Sequence, residues 1–201
     1  MSKLWKRLKS EIIFETRIFR LRRDTSESPR TGKAHPFHVL EASDWVNVIP
    51  VTGDGQIVLI EQFRHGLREM QLEIPGGMVD PTDRSPMGAA DRELREETGY
   101  EAEELVHIGT VHPNPAILDN VCTTFLALGA RPTGEPEPDS TEEIFVKTVP
   151  AEEIPAMIDG GAISHALVVA AFYWYDRYLQ AQGKPPLGVC SSPRSPTVMG
   201  L

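Results

Sequence analysis

Short stretches in which apolar and polar residues alternate recur through the first 150 residues and predict a strand-rich protein. Residues 12–23 alternate in this way, and residues 35–41 form a second such stretch that can pair with the first. The segment 24–33 between them is rich in turn-forming residues and predicts the loop of a β-hairpin. We therefore expect an N-terminal β-hairpin or small sheet within residues 1–43.

Further strands are predicted downstream of this hairpin. Residues 45–50 and 56–63 are strongly apolar, and Asp54-Gly55 between them is a tight-turn signal. The other predicted strands cover residues 71–75, 105–111, 121–128 and 144–149.

Helical patterns lie between and after these strands. A short acidic helix precedes Gly99, a second short helix begins at residue 150, and Ser164 is placed to cap a long apolar helix over 165–180. This order predicts an α/β (α+β) fold, in which a mixed sheet lies between helices as an α/β/α sandwich. The domain would cover residues 44–182, and residues 183–201 would form a disordered tail.

The acidic helix carries the most distinctive chemistry. Glu93, Glu96 and Glu97 are spaced at i, i+3 and i+4, so their carboxylates share one face of the helix. Crowded carboxylates repel one another, and a divalent cation removes that repulsion. Oxygen ligands of this kind suit Mg²⁺ or Mn²⁺ better than zinc. A solvated acidic face is the alternative interpretation.

Composition and charge restrict the partners of this chain. Its 201 residues are 40% apolar, enough for one packed domain, and its net charge is −9. Such a charge disfavours duplex DNA and anionic membranes, and no apolar stretch approaches the length of a membrane span. Cys122 and Cys190 lie far apart without ligand spacing, which indicates a reduced, cytoplasmic protein.

The residues around the acidic helix resemble a known motif. The run from Arg92 to Tyr100, RELREETGY, is similar to the second half of the Nudix box, G-x5-E-x7-R-E-U-x-E-E-x-G-U, where U is apolar or aromatic. Gly77 matches the opening glycine and Gly99 the closing one. The first half departs from the pattern, because Asp83 stands where the box has glutamate and eight residues, not seven, separate it from Arg92. We interpret this as a one-residue insertion, with an expected contact between Asp83 and Arg92.

The resemblance implies the Nudix fold and hydrolysis of a nucleoside diphosphate linked to another moiety. It implies that Mg²⁺ or Mn²⁺ is held by Glu93, Glu97 and the carbonyl of Gly76, with Glu96 alongside. Members similar to this chain place the general base on the loop that here spans 130–142. Glu142 and Glu143 are the candidates for that base, Asp139 is a reserve, and Glu96 is a further catalytic candidate.

Features outside the box resemble the ADP-ribose and nucleotide-sugar diphosphatases of the family. In that branch an N-terminal sheet helps to form a homodimer and part of the substrate site, although an edge ribbon that only covers the core remains an alternative. Arg64 is a candidate ligand of the substrate phosphates or else an ordinary surface arginine. Trp45 either stacks on the base or is simply packed. Pro115 matches a proline that lies downstream of the box in this branch.

The expected substrate is therefore a small nucleotide, with ADP-ribose, cleaved to AMP and ribose 5-phosphate, or a nucleotide sugar as the first choice. Hydrolysis of dinucleoside polyphosphates or oxidised nucleoside triphosphates is the alternative within the family. An alternative of another class is a module that senses ADP-ribose without cleaving it.

Overall fold

The fold is described from a computed structural model, in which residues 4–137 and 143–188 are described. These ranges contain eleven strands and three helices. The strands are β1 (Lys6–Glu15), β2 (Phe19–Glu27), β3 (Ala34–Ala42), β4 (Trp45–Thr52), β5 (Gln56–Arg64), β6 (Glu69–Glu73), β7 (Gly76–Met78), β8 (Tyr100–Glu101), β9 (Glu104–Val111), β10 (Cys122–Pro132) and β11 (Ile144–Pro150). The helices are α1 (Pro86–Thr98), α2 (Ile154–Asp159), preceded by a 3-10 turn at Ala151–Glu153, and α3 (Ala166–Ala181).

The N-terminal element is a three-stranded antiparallel sheet in the order β1-β2-β3. The single strand predicted over 12–23 is wrong, because the chain turns at Thr16, whose Oγ1 accepts hydrogen bonds from the backbone N–H groups of Ile18 and Phe19. A threonine hydroxyl that bonds the backbone in this way ends a strand and starts a turn. The predicted hairpin loop is also shorter than expected, because β2 continues to Glu27.

The central sheet is mixed, as the sequence predicts. β4 and β5 pair at Val51 and Ile57, next to the predicted tight turn, and then diverge. Along the rest of its length β4 pairs in parallel with β10, whereas β5 pairs in antiparallel fashion with β6 and β11.

Two apolar cores form on opposite faces of β4 because its side chains alternate between them. Val46 and Val48 face α1, where they meet the fully buried Leu94. Ile49 belongs to the second core, together with Phe172 of α3. The sheet therefore lies between helices, which confirms the predicted α/β/α sandwich.

The Gly76-Gly77 segment, predicted as a loop, is a short strand. β7 pairs with β4 so that Gly76 lies opposite Asn47 and Gly77 opposite Val46. A side chain at Gly76 would place its Cβ 2.3 Å from the carbonyl oxygen of Val46. Glycine is therefore required here by the close approach of two backbones, and its low strand propensity hides the strand from sequence patterns.

Both ends of α1 are capped. The Ser85 side chain accepts a hydrogen bond of 3.1 Å from the N–H of Gly88. At the other end Gly99 has a φ of 71°, and its N–H donates to Arg95, which confirms the predicted left-handed cap.

The third helix begins differently from the prediction. The residue before its first turn is His165, and the Ser164 hydroxyl donates to Oε1 of Gln71 at 2.9 Å, so Ser164 does not cap the helix. After the helix, Leu187 packs against the second core and its N–H donates to Asp176 at 2.7 Å. The start of the predicted tail thus lies on the body of the protein, whereas residues 189–201 fall outside the described ranges.

The N-terminal sheet contacts the central domain through β3 and the loop between β9 and β10. The N–H of Leu40 donates to the carbonyl of Ile117 at 2.7 Å. No helix within the described residues is long and apolar enough to cross a membrane.

A cluster of charged residues reinforces this contact. Arg22 donates from Nε to both oxygens of Asp24, at 3.1 and 3.2 Å, and from its other end to Glu41. It also lies 3.6 Å from a carboxylate oxygen of Asp119, which belongs to the central domain. One arginine therefore joins carboxylates from both parts of the protein.

Candidate active site

A cavity of about 560 Å³ opens between α1, the β4–β7 ribbon, the β5–β6 turn and the start of α3. Glu93, Glu96 and Glu97 line one side of it, and His165 and Val168 line another. The volume is in the range of small-molecule binding pockets. The predicted carboxylate face therefore opens onto a space large enough for a ligand.

Glu97 is the most tightly held of these carboxylates. Its side chain is almost fully buried, and Oε2 accepts a hydrogen bond of 2.7 Å from the N–H of Gly76. A buried carboxylate needs such a partner to offset its loss of hydration. This bond ties α1 to β7 and brings Glu97 next to the residue whose carbonyl was predicted as a metal ligand.

Glu93 lies against the backbone of Gly77. A Cβ atom at Gly77 would come within 2.4 Å of Glu93 Oε1. The opening glycine of the box therefore leaves room for a carboxylate, which explains physically why the motif has glycine at this position.

Arg92 holds the two halves of the box together. Its guanidinium donates to both oxygens of Asp83, at 3.1 and 3.0 Å, and to the carbonyl of Met78 at 3.1 Å. Its third nitrogen donates to Glu93 at 3.0 Å and to Glu96 at 2.9 Å. The structure contains the expected Asp83–Arg92 contact, so the shorter side chain and the inserted residue still allow a bidentate pair.

The loop itself adapts to the insertion. Asp83 and Asp80 form a tight turn in which the N–H of Asp83 donates to the carbonyl of Asp80 at 2.9 Å, and the Asp83 carboxylate accepts from the N–H of Asp80 at 2.8 Å. The hydrogen bond from Arg92 lowers the pKa of Asp83, and the same bond raises the pKa of Arg92. Asp83 therefore stays ionised and paired.

The oxygen donors at this site suit a hard divalent cation. Within residues 4–137 and 143–188, no three histidine, cysteine or acidic side chains are already gathered in a metal-binding arrangement. Arg92 occupies one oxygen each of Glu93 and Glu96, and Glu97 is turned towards Gly76. The residues fit a cation in chemical type, and its binding would require these carboxylates to share their oxygens between Arg92 and the metal.

Two further predicted residues line the same cavity. Arg64 forms a bidentate pair with the buried Glu73, at 2.8 and 2.7 Å. Trp45 stands at the start of β4, between Met78 of β7 and Cys122 of β10. Both residues are thus beside the carboxylate face, as a substrate-binding role requires.

Two of the remaining predicted site residues, Pro115 and Glu143, are described and are absent from the cavity lining. Pro115 is exposed on the loop between β9 and β10 and does not line the cavity. Glu143 is exposed just before β11. Glu142 and Asp139 lie outside the described residues.

Sequence patterns missed the wall formed by Asn47 and the first turn of α3. Asn47 Nδ2 donates to the carbonyl of Leu167 at 3.2 Å, and both residues line the cavity with His165. Asn47 carried a usable signal, since it is a polar residue inside an apolar strand. His165 gave no such signal in the sequence, because burial alone explains the apolar helix that follows it.

Known proteins match this chain over most of its length. A family model described as the NUDIX domain matches residues 43–172. An ADP-ribose pyrophosphatase of Bacillus subtilis (strain 168) is 31% identical over 180 residues, covering 88% of this chain and 96% of the relative. An ADP-sugar pyrophosphatase of Mus musculus is 30% identical over 200 residues, covering 89% of each chain.

Two other relatives extend the comparison. A methanol dehydrogenase activator of Bacillus methanolicus is 34% identical over 131 residues, which cover 64% of this chain and 70% of the relative. A crystal structure of an ADP compounds hydrolase superimposes with a TM-score of 0.80, covering 90% of this chain and 97% of the other at 22% identity. This last likeness supports the fold.

The domain match covers more than half of the chain, and one cavity is lined by five residues of the box, Gly77, Arg92, Glu93, Glu96 and Glu97. Proteins of this kind generally use divalent metal cations. The chain belongs to the Nudix family and is a Nudix-type pyrophosphohydrolase.

Proposed function

We propose that this enzyme hydrolyses ADP-ribose to AMP and ribose 5-phosphate, and that ADP-linked sugars are its neighbouring substrates. The observation that carries the proposal is the similarity to an ADP-ribose pyrophosphatase over 88% of this chain and 96% of that relative's length. The cavity beside the carboxylate face has a volume suited to a nucleotide-sized ligand.

Mg²⁺, or Mn²⁺, is the cation we propose for the site, held by Glu93, Glu97 and the carbonyl of Gly76, with Glu96 alongside. When bound, such a cation neutralises diphosphate oxygens and makes a coordinated water a stronger nucleophile. The burial of Glu97 and its hydrogen bond to Gly76 favour a fixed ligand over a mobile one.

The other residues of the chain would hold the substrate and move a proton. Arg64 lies beside the cavity, where a guanidinium can bind phosphate oxygens, and Trp45 offers an aromatic face to the base. For the general base we propose Glu142 or Glu143, with Glu96 as the candidate on the helix itself. Glutamine variants of these three residues, assayed for kcat against pH, distinguish them, because removing the base removes the acid limb of the profile.

We further propose a cytoplasmic homodimer that forms through the N-terminal sheet. Pro115, by its match to the related enzymes, is the other substrate-binding residue that we propose. Large apolar side chains are exposed on this sheet, among them Trp5, Phe14 and Phe37, and a patch of this kind favours association. Light scattering coupled to size exclusion tests the assembly. A monomer at micromolar concentration would contradict it.

The test of function is phosphate release in a phosphatase-coupled assay. ADP-ribose, nucleotide sugars, dinucleoside polyphosphates and nucleoside triphosphates are compared with Mg²⁺, with Mn²⁺ and with chelator. We expect metal-dependent turnover that is fastest with ADP-ribose or an ADP-sugar. Turnover of another class alone would overturn the substrate, while stabilisation by ADP-ribose without any turnover would indicate a sensor.

A further inference from the structure

The wall of the cavity that faces α1 contains a histidine that the proposed reaction has not used. His165 lines the cavity at the start of α3, and its Nδ1 is buried without a hydrogen-bond partner among the described residues. Because Nδ1 is enclosed, a ligand in the cavity can reach only the other ring nitrogen, Nε2. No hydrogen bond from the described residues occupies Nε2, so this nitrogen is available to a ligand in the cavity.

The charges around the cavity show why such a group is needed. Its acidic lining includes Glu73, Glu93 and Glu97, whereas its two arginines already hold carboxylates in bidentate pairs, Arg64 with Glu73 and Arg92 with Asp83. Either arginine would have to share its donors between its acid and a diphosphate, so a further hydrogen-bond donor at the cavity wall would strengthen binding of the diphosphate. The imidazole of a histidine can supply an N–H.

The position of His165 fits contact with the diphosphate. The carbonyl of Leu167, in the same turn, accepts from Asn47, and Asn47 lies opposite Gly76 in the β4–β7 pair. Gly76 in turn donates to Glu97. This chain of contacts holds the first turn of α3 beside the carboxylate end of the cavity.

We propose that His165 is a substrate-binding residue that donates a hydrogen bond from its ring to a phosphate oxygen of the nucleoside diphosphate. Because Nδ1 is enclosed, Nε2 is the nitrogen that meets the substrate. The inference rests on the proposed function, because it requires a diphosphate substrate. It adds a binding residue at the start of α3, outside the Nudix box.

The variants that test this contact differ in where they place a donor. His165→Gln keeps an N–H near the position of Nε2, whereas His165→Asn places one near Nδ1, and His165→Ala has none. We expect kcat/KM for ADP-ribose to fall by roughly tenfold to a hundredfold in the Asn and Ala variants, the loss typical of a hydrogen bond to a charged group. The Gln variant should stay within about threefold of the wild type by the same reasoning. His112→Gln is the matched control, because His112 is exposed and outside the cavity lining.

A second measurement separates a contact with the diphosphate from a merely structural role. Inhibition constants are compared for inorganic pyrophosphate and for adenosine, alongside the melting temperature of each variant. We expect His165→Asn to weaken pyrophosphate by the same factor as the substrate and to leave adenosine unchanged. Equal weakening of both inhibitors, or wild-type kinetics in the Asn and Ala variants, would overturn the proposal.

Failure of the proposed substrate is recognised separately. If the wild type does not cleave ADP-ribose, the same variants are assayed with whichever diphosphate compound it does cleave. Loss of activity in His165→Asn, with retention in His165→Gln, would then still support the contact, and equal activity would refute it.

Discussion

Two arginines, Arg92 in the central domain and Arg22 in the N-terminal sheet, form similar clusters of ion pairs but have different roles. Arg92 and Arg22 are both largely buried, with 25% and 17% of their side chains exposed, and each lies within ion-pair distance of at least three carboxylates. Glu93 and Glu96, two of the carboxylates paired with Arg92, line the cavity. Those around Arg22 join the N-terminal sheet to the central domain.

The two clusters differ in whether their carboxylates can bind a further ligand. Asp24 and Glu41 both pair with Arg22, and each also pairs with a residue of a neighbouring strand. This cluster therefore fixes how the N-terminal sheet lies against the central domain. Around Arg92, both oxygens of Asp83 are taken by the guanidinium, whereas Glu93 and Glu96 each bond to it through one oxygen and could share their carboxylates with a cation. Similar clusters therefore place carboxylates at a cavity in one part of the protein and join the two sheets in the other.

The largest expected effect on kcat comes from changing Glu97, the buried carboxylate that we propose as a metal ligand. In Glu97→Gln the amide keeps the shape of the side chain but loses the negative charge that binds a cation. We expect kcat to fall by about a thousandfold or more, in line with the loss of a metal ligand, with little change in melting temperature. Wild-type turnover of this variant would contradict the assignment of the site.

Breaking the Arg92 cluster should affect both activity and stability. In Arg92→Gln, Asp83 loses its bidentate partner and the box loop is no longer tied to α1. We expect kcat to fall by about a hundredfold, because positioning partners of metal ligands typically contribute factors of 10–100. Arg95→Gln, on the exposed surface of the same helix, is the control, and equal losses in both variants would refute this role.

The matching change in the other cluster should affect stability alone. In Arg22→Gln, Asp24 and Glu41 keep their charges without a buried counter-ion, which should cost about 2–3 kcal/mol of unfolding free energy, a little less than for a fully buried pair. Urea denaturation measures this loss, and kcat below the melting transition should stay within about twofold of the wild type. A large fall in kcat would show that the two clusters are coupled.

The smallest expected effect is on the free energy of unfolding at acidic pH. Burial by itself would raise the pKa of Asp24, but the hydrogen bond from Ser10 and the charge of Arg22 outweigh it, so its pKa lies below the ordinary 3.8. Its contribution to stability is therefore present above pH 3.8 and is lost as pH falls from there through the folded-state pKa. Unfolding free energy measured below pH 4 should decline less steeply in Asp24→Asn than in the wild type.

Much of the site was predictable because its determinants are local. The spacing of Glu93 and Glu97 on one helix face, the cap at Gly99 and the pairing of Asp83 with Arg92 all depend on residues within one short stretch. The sandwich was predictable as well, since alternation in β4 and the apolar helix α3 imply layers on both sides of a sheet.

Features that depend on distant partners were missed. β1 is exposed on both faces, so it lacks the apolar alternation that marks a half-buried strand, and it was joined to β2 in error. β7 is formed by glycines that pair with β4 because the backbones come close. The wall at His165 exists only because α3 packs across the sheet, and no motif encodes that contact.

The parallel pairing of β4 with β10 also affects when, during synthesis of the chain, the cavity can form. During synthesis from the N-terminus, α1 emerges before Phe125 and Ala127, which complete the apolar floor beneath it, and before α3, which closes the cavity. Pairing over so long an intervening segment is slow compared with the closing of a hairpin. A nascent chain therefore carries its acidic helix well before it has a cavity in which to bind a nucleotide, because the cavity also requires residues of α3.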